Sequence, residues 1–452
     1  MGKIKRILAI MTALCAAFVT CGCGSDDSSV SFISMNESEK SVLDSAGSEL
    51  NAEKLENPTV KWFGFWDINP AEGQKISPAL DLFQTTYGGK IEYVQTTWDT
   101  CYDDLAALIV SGDQPDFISA CDLDLFPRAA IKNQIAPIDD YVDLSDPIWA
   151  DVKDSMDKYM LKDEHYICIS EITGSNVCIY NKSVIDESGL DQPADLLAQN
   201  KWDWNAFKNM MVDFCSSAEG NYGLDSWYYE KAIMLTAGVP VISVEDGVIM
   251  NNLNNKSLER VQSFMYDLYN SGVVLPKAEF SWGDFPDRVG TGETLFYVAP
   301  TWALGDLKVY GGSENTMFVP MPKDPESDKY FLECDMNAYA FIKGGKNPKG
   351  VAAYLKCLKL SSKTQEVKDI ANADLVANGW TKEMLDMNDK VNELTLANPV
   401  FEFYLGMSTD LSSVIDSSIR DTIKAGVQWA ETREAMYQTV QLEVDEFNAS
   451  IK

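Results

Sequence analysis

Apolar residues along the chain recur in two periods, and the periods alternate. Thr59–Trp66 is a short apolar run behind a proline and predicts a strand. Ile76, Leu80 and Phe83 repeat at helical spacing, and Lys90–Trp98 alternates as a strand. Tyr102, Leu105, Leu108 and Ile109 then mark a helix that Gly112 ends, and Asp116–Ala120 is a third short strand. Strands alternating with helices argue for an α/β layer on a parallel sheet. Further on the order changes. His165–Glu171 and Asn176–Asn181 predict two strands with a brief link, and Asp203 N-caps a helix carrying Phe207, Met210, Met211 and Phe214. Val241–Met250 predicts a hairpin turning at Glu245-Asp246-Gly247. Leu258, Val261, Met265 and Leu268 predict a long amphipathic helix. Glu293–Ala299 and Thr316–Val319 predict strands, and Asp335–Ile342 a strand returning to the first layer. From Pro348 the pattern is almost wholly helical, over Val351–Leu360, Thr364–Ala371, Lys382–Thr395, Leu411–Ile423 and Gln428–Phe447. Two α/β units and a helical C-terminal third emerge, with no internal repeat.

The N-terminus adds a location. Lys3, Lys5 and Arg6 precede an apolar stretch, Ile7–Val19, long enough for an export signal and too short to span a bilayer. The stretch ends in Val19-Thr20-Cys21-Gly22-Cys23, which resembles a lipobox. Cys23 fits the lipidated position better than Cys21, because Gly22 precedes it and Thr20 lies three before it. Residues 1–22 are therefore expected as a lipoprotein signal peptide and 23–57 as a flexible acidic tether, since that stretch is Ser-, Asp- and Glu-rich with few large apolar residues. An anchored, two-unit chain of this kind suggests a two-lobed extracytoplasmic binder held at the cell membrane through lipid alone.

Charge and composition remove other classes. The chain of 452 residues has 69 acidic and 37 basic side chains, a formal net charge of −32. Such a surface repels phosphate, which excludes a nucleic-acid partner. The 11 Trp, 19 Tyr and 19 Phe exclude wholesale disorder. With a single histidine, His165, a His-based zinc site is out, no metal or other cofactor is expected, and His165 is expected to sit satisfied at a strand start. After Cys23, seven cysteines remain without a CxxC among them, which predicts mostly buried thiols, with a Cys168–Cys178 pair left open.

Six segments, in order, carry a resemblance. Ser111-Gly112-Asp113-Gln114-Pro115-Asp116 leads into the third strand. Cys178–Lys182 holds a Tyr-Asn-Lys strand end, followed by Glu187-Ser188-Gly189-Leu190. Trp202-Asp203-Trp204-Asn205 starts a helix, Gly292–Phe296 runs on to Trp302, and Lys343–Pro348 starts another helix. Together they resemble the bacterial extracellular solute-binding proteins of family 1, which deliver sugars to ABC importers. Cys178 departs from the aliphatic residue usual at its position, and the last hundred residues match nothing specific. The resemblance implies an α/β, two-lobed periplasmic-binding-protein-like fold (type II), with hinge strands and a helical C-terminal region. Lobe one would be 58–170 plus 332–372 and lobe two 171–331 plus 373–452. It implies a monomeric binder, not an enzyme, whose partners are a carbohydrate and a pair of ABC permease subunits with their ATPase.

Ligands of open α/β sheets sit beyond the carboxyl ends of the strands. Trp66 and Asp67 follow the first strand, Trp98 the second, and Asp122 and Asp124 the third. Trp227 and Tyr228 follow a loop, Trp282 precedes a helix, and Trp302 matches a family position that stacks on sugar. A pyranose packs its C–H faces on aromatic rings and needs carboxylate or amide partners for its hydroxyls, and these segments supply both. Trp62, Trp202 and Trp204 are expected in the core, while Trp380 could cap the cleft. The strand ends offer Asp where an anionic ligand would need Arg or Lys, which favours a neutral polyhydroxylated solute. Paired carboxylates would also suffice for an anchored glycoside hydrolase, and a peptide is a further alternative ligand.

Overall fold

The computed structural model describes residues 31–50, 54–121, 124–226, 229–276 and 285–451. Two separate sheets organise it. In the first, Thr59–Gly64 pairs in parallel with Lys90–Gln95 and Phe117–Ser119, as the alternating pattern predicts. The long strand Leu332–Ile342 returns to this sheet and runs antiparallel to Phe117–Ser119 and Ile167–Gly174. In the second, Asn176–Asn181 lies between Thr294–Pro300 and Thr316–Pro320, antiparallel to both, and Tyr222–Asp225 adds in parallel at the edge. The predicted hairpin forms between Ile242–Glu245 and Val248–Asn251. Asp246 and Gly247, at φ 50° and 73°, give the two left-handed residues such a tight turn needs.

The chain leaves the first sheet after Gly174 and enters the second at Asn176, so only Ser175 separates them. The crossing falls a few residues beyond the 170/171 division expected from sequence. Cys168 and Cys178 consequently belong to different sheets, and the Cys168–Cys178 pair does not form. Cys168, Cys178, Cys215, Cys334 and Cys357 are free thiols. Burial pushes the Cys168 thiol up to about 12, so it acts as a small hydrophobe.

The helical third divides between the units. Pro348–Lys363 packs on Ile167–Gly174 and on Pro78–Leu82, and Gln365–Ala377 continues beside it. Thr409–Ala425 and Trp429–Ile451 pack instead on helix Lys256–Asn270 and on the hairpin. Pro399–Val400 joins the first sheet beside Leu332 and Glu333. That sheet therefore takes in residues beyond 372, because its edge strand is completed from the far end of the chain.

The tether expectation for 23–57 is corrected over its described part. Glu37–Gly47 is a helix opened by a capping box, in which Asn36 accepts from Ser38 and Glu39 and the Glu39 carboxylate accepts from the Asn36 amide. Met35, Leu43, Ala46 and Leu50 are buried. Leu43 and Ala46 fall on one helix face, flanked by buried Met35 and Leu50, which is enough once a surface exists to receive them.

The motif residues position elements. Asp116 accepts from the Lys61 amide at 2.8 Å and from the Asn347 amide at 2.8 Å. Asn347 donates to the Asn57 and Thr59 carbonyls and caps the following helix at Gly350. Asn181 and Asp203 cap the helices they precede. His165 is satisfied as expected, bridging Asp139 at 2.7 Å and Asp157 at 2.9 Å, but it ends the short strand Glu164–His165 instead of starting one.

Candidate functional site

The first sheet ends in an aromatic wall. Trp62 is fully buried and its indole donates to the Trp66 carbonyl at 2.8 Å, fixing the bend that follows the strand. Gly64 permits this, since a Cβ there would lie 2.7 Å from the Trp62 ring. Trp66 then turns outward. Phe65 sits edge-on between Trp66, at 4.6 Å between ring centroids, and Trp98, at 5.0 Å. The second sheet offers Trp302, directly after Thr294–Pro300. Trp98 and Trp302 keep 60% and 65% of their surface exposed, which is unusual for tryptophan and leaves ring faces for a ligand.

These rings share one cleft of about 1110 Å³ with Cys121, Ser175, Asn176, Pro300 and a charged group. The charged side chains are Glu230 and Lys231, Glu333 and Asp335, and Asp416 and Arg420. Lys231 pairs with Glu333 at 3.0 Å, and Glu333 also accepts from the Asn176 amide. Burial depresses the Lys231 ammonium, and Glu333, Glu402 and Asp416 more than offset it, so its pKa stays above the usual lysine range. Glu230 meets Lys424 at 3.2 Å, yet burial raises its carboxyl, and burial raises Asp335 likewise. Asp416 accepts from the Tyr404 hydroxyl. Beneath them Glu402 is fully buried, accepting from the Val241 and Ile242 amides. Burial pushes its carboxyl up to about 8.

Of the residues expected from sequence, Trp66, Trp98 and Trp302 come together here. Asp67 does not: it accepts from the Asn69 amide and side chain at 2.9 Å, closing a local turn. Asp124 is bonded to the Tyr102 hydroxyl, away from the cleft lining. Trp380 is buried edge-on to Phe318 at 5.7 Å and caps nothing. Asp122, Trp227, Tyr228 and Trp282 lie outside the described residues, as does Cys23. Sequence reasoning missed Phe65 and every charged residue of the lining. Phe65 was legible beside Trp66. Asp416, Ile419 and Arg420 share one helix face by spacing, but nothing local says that this face meets strand ends 300 residues earlier. The strand ends were expected to offer Asp and no base, and the bases of the lining, Lys231 and Arg420, come from helices instead.

A smaller cavity of about 570 Å³ lies between Pro193–Ala198 and Lys382–Ala397 and has Tyr330 as its single aromatic. Among the described residues there is no metal-ligating cluster, and no helix is long and apolar enough to cross a membrane.

Comparison with known proteins fits this geometry. A family model described as bacterial extracellular solute-binding protein matches residues 79–373. Curated protein sequences give no match. Solved structures do. The cyclic α-maltosyl-1,6-maltose binding protein from Arthrobacter globiformis aligns at TM-score 0.62 and 14% identity, over 88% of this chain and 100% of its own. The galacto-N-biose/lacto-N-biose I-binding protein of an ABC transporter from Bifidobacterium longum, in complex with lacto-N-biose, aligns at TM-score 0.60 and 12% identity, over 86% and 99%. An ABC transporter solute-binding protein from Thermotoga lettingae TMO, bound with α-D-tagatose, aligns at TM-score 0.57 and 15% identity, over 88% and 100%. At such identities the likeness establishes a shared fold, the two-lobed type II binding-protein architecture. With well over half of its length matched by the family model, the chain belongs to the bacterial extracellular solute-binding proteins.

Proposed function

We propose that this protein captures an oligosaccharide between its two sheets and delivers it to an ABC importer, acting as a lipid-anchored monomer on the extracytoplasmic face of the cell membrane. The observation that carries the reading is the pairing of exposed tryptophans from both sheets, Trp66 and Trp98 against Trp302, around one cleft that also holds hydrogen-bonding side chains. Aromatic faces suit the C–H surface of a pyranose, and Asn, Asp, Glu and Arg suit its hydroxyls. The solved relatives named above, sugar binders by their own descriptions, support the same ligand class. The lobes would be 58–170 plus 332–372 and 171–331 plus 373–452, adjusted for the crossing at Ser175 and for the C-terminal strand that joins the first sheet. Ligand contacts made from both sides favour the closed arrangement over the open one.

Binding without hydrolysis is part of the proposal, and family membership favours it. A thermal-shift screen over mono- and oligosaccharides tests the whole reading, because a ligand that binds only the folded state raises the melting point. A rise of several degrees with an oligosaccharide recovered intact supports it. Cleavage of that glycan by the pure protein sinks it in favour of a hydrolase.

A further inference from the structure

We propose that residues 31–50 are a clasp belonging to the first-sheet unit, and that this unit is thereby held close to the bilayer on a lead of seven residues, Gly24–Val30. The proposal rests on lipidation at Cys23, the anchoring read from the sequence.

The clasp is built, not draped. Ser31 accepts from the Gly73 amide at 2.9 Å. Ile33 donates to the Gln74 carbonyl at 2.8 Å and accepts from the Ile76 amide at 3.0 Å, so the segment opens as a strand-like bridge. Helix Glu37–Gly47 follows and packs on Pro78–Leu82 and Gln365–Ala377. An 11-residue helix is marginal alone in water, so its capping box and its buried Met35, Leu43 and Ala46 must be working against a partner surface. Lys75 pins it electrostatically, reaching Glu39 at 2.8 Å and Asp374 at 3.8 Å. Its hydrogen bond holds the Glu39 carboxyl below the usual carboxylate range even though burial opposes it. Past the helix, Lys54 donates to the Thr85 carbonyl at 2.6 Å and the Leu55 amide to Tyr87 at 3.1 Å. Every one of these partners belongs to the first-sheet side.

The consequence is geometric. Whatever its conformation, a connection from Cys23 to Ser31 spans at most about 28 Å, whereas a tether running from Cys23 to Pro58 reaches roughly 120 Å when extended. A short lead attached to one unit raises the effective concentration of that unit at the membrane and fixes which side of it faces the lipid. The second-sheet unit stays free to swing about Ser175 when ligand binds. One unit is moored while the other moves.

Neutron reflectometry of the lipidated full-length protein on a supported bilayer, with hydrogen exchange on the same sample, tests this. The expected result is protected amides across 37–47 and a gap between bilayer and protein no wider than about 28 Å. Inserting 25 Gly-Ser residues between Val30 and Ser31 should widen the gap and leave the protection and the melting point unchanged. Leu43→Asp should widen it by releasing the clasp, with loss of protection confined to residues 31–50. Exchange over 37–47 at free-peptide rates, or a gap that the insertion does not change, overturns the proposal. Absence of lipid on Cys23 by mass spectrometry overturns it through the anchoring reading. Fast exchange on a lipidated chain overturns it through the clasp, so the two failures are told apart.

Discussion

The cleft has two walls made by different means. The aromatic wall is Phe65, Trp66 and Trp98, three side chains from the ends of two adjacent parallel strands. The charged wall is Glu230, Lys231, Asp416 and Arg420, carried by two helices nearly two hundred residues apart in sequence, with Glu333 and Asp335 from the long returning strand. The first needs little support: Trp62 and Gly64 shape the bend, and the rings brace each other. The second is supported from below by a buried network in which Lys231 faces Glu333, Glu402 and Asp416. A wall that presents apolar faces can stand half in water. A wall that presents charges must first satisfy them, so stability and recognition are coupled on the charged side and nearly separate on the aromatic side.

The sharpest way to break that contrast is to remove the aromatic contact from the second sheet. Trp302→Ala should cut oligosaccharide affinity about 100-fold, the scale of a buried aromatic anchor, and leave the melting point of the free protein within a degree or two. Isothermal calorimetry reads the first and a thermal melt the second. Undiminished affinity would remove Trp302 from the site.

The charged wall should show itself in stability against pH. A carboxyl raised by folding holds its proton more tightly in the native state. Its contribution is complete below the unfolded value near 4.5 and is lost as pH rises through the folded value, about 8 for Glu402. Stability should therefore fall between about pH 5 and pH 8 by on the order of 3 kcal/mol, and Glu230, raised by burial, adds in the same direction. Urea unfolding at pH 5.5 and 8.5 measures this, and stability that holds level or rises across the window contradicts the network. Lys231→Met carries the test further. It leaves the mostly buried Glu333 without its cation, and about 2–3 kcal/mol of stability should go with it. Equal stability in that variant would mean that the lysine is not what holds the three carboxylates together.

The same division explains what could be read from the chain alone. The helices, strands and hairpin followed from periodicity and turn chemistry, which are local. Trp66 and Trp98 followed from one general rule about strand ends. Asp67 and Asp124 obeyed the same rule and still lie off the cleft, because a short carboxylate after a strand has a nearer offer: the Asn69 amide in one case and the Tyr102 hydroxyl in the other. Most segments that carried the family resemblance turned out to hold caps and staples, Asp116, Asn181, Asp203 and Asn347, and so report the fold, while the one that runs on to Trp302 reaches the cleft. The clasp was hidden by composition. Met35, Leu43, Ala46 and Leu50, scattered through a stretch rich in Ser, Asp and Glu, read as a tether until the surface that buries them is known. Arg420 was hidden by distance, since only tertiary packing brings its helix to the strand ends.

Arg420 gives the smallest and most discriminating measurement. Its guanidinium donates to the Ser417 hydroxyl at 3.1 Å and makes no ion pair with a described residue, while lining a cleft that holds four carboxylates and one other cation. A planar fork of donors left in this state can bind the hydroxyls of a neutral sugar or the carboxylate of an acidic one, and salt separates the two. With a neutral oligosaccharide, Arg420→Ala should weaken binding only about 3- to 10-fold, the worth of a hydrogen bond or two. The wild-type affinity should then be nearly the same at low and high ionic strength. With an acidic sugar the loss should be larger, and affinity should fall steeply as salt screens the pair. The surplus of carboxylates around the arginine favours the neutral case. A strong salt dependence of the wild-type protein would reverse that preference, and would make the charged wall, rather than the tryptophans, the part of the cleft that chooses the ligand.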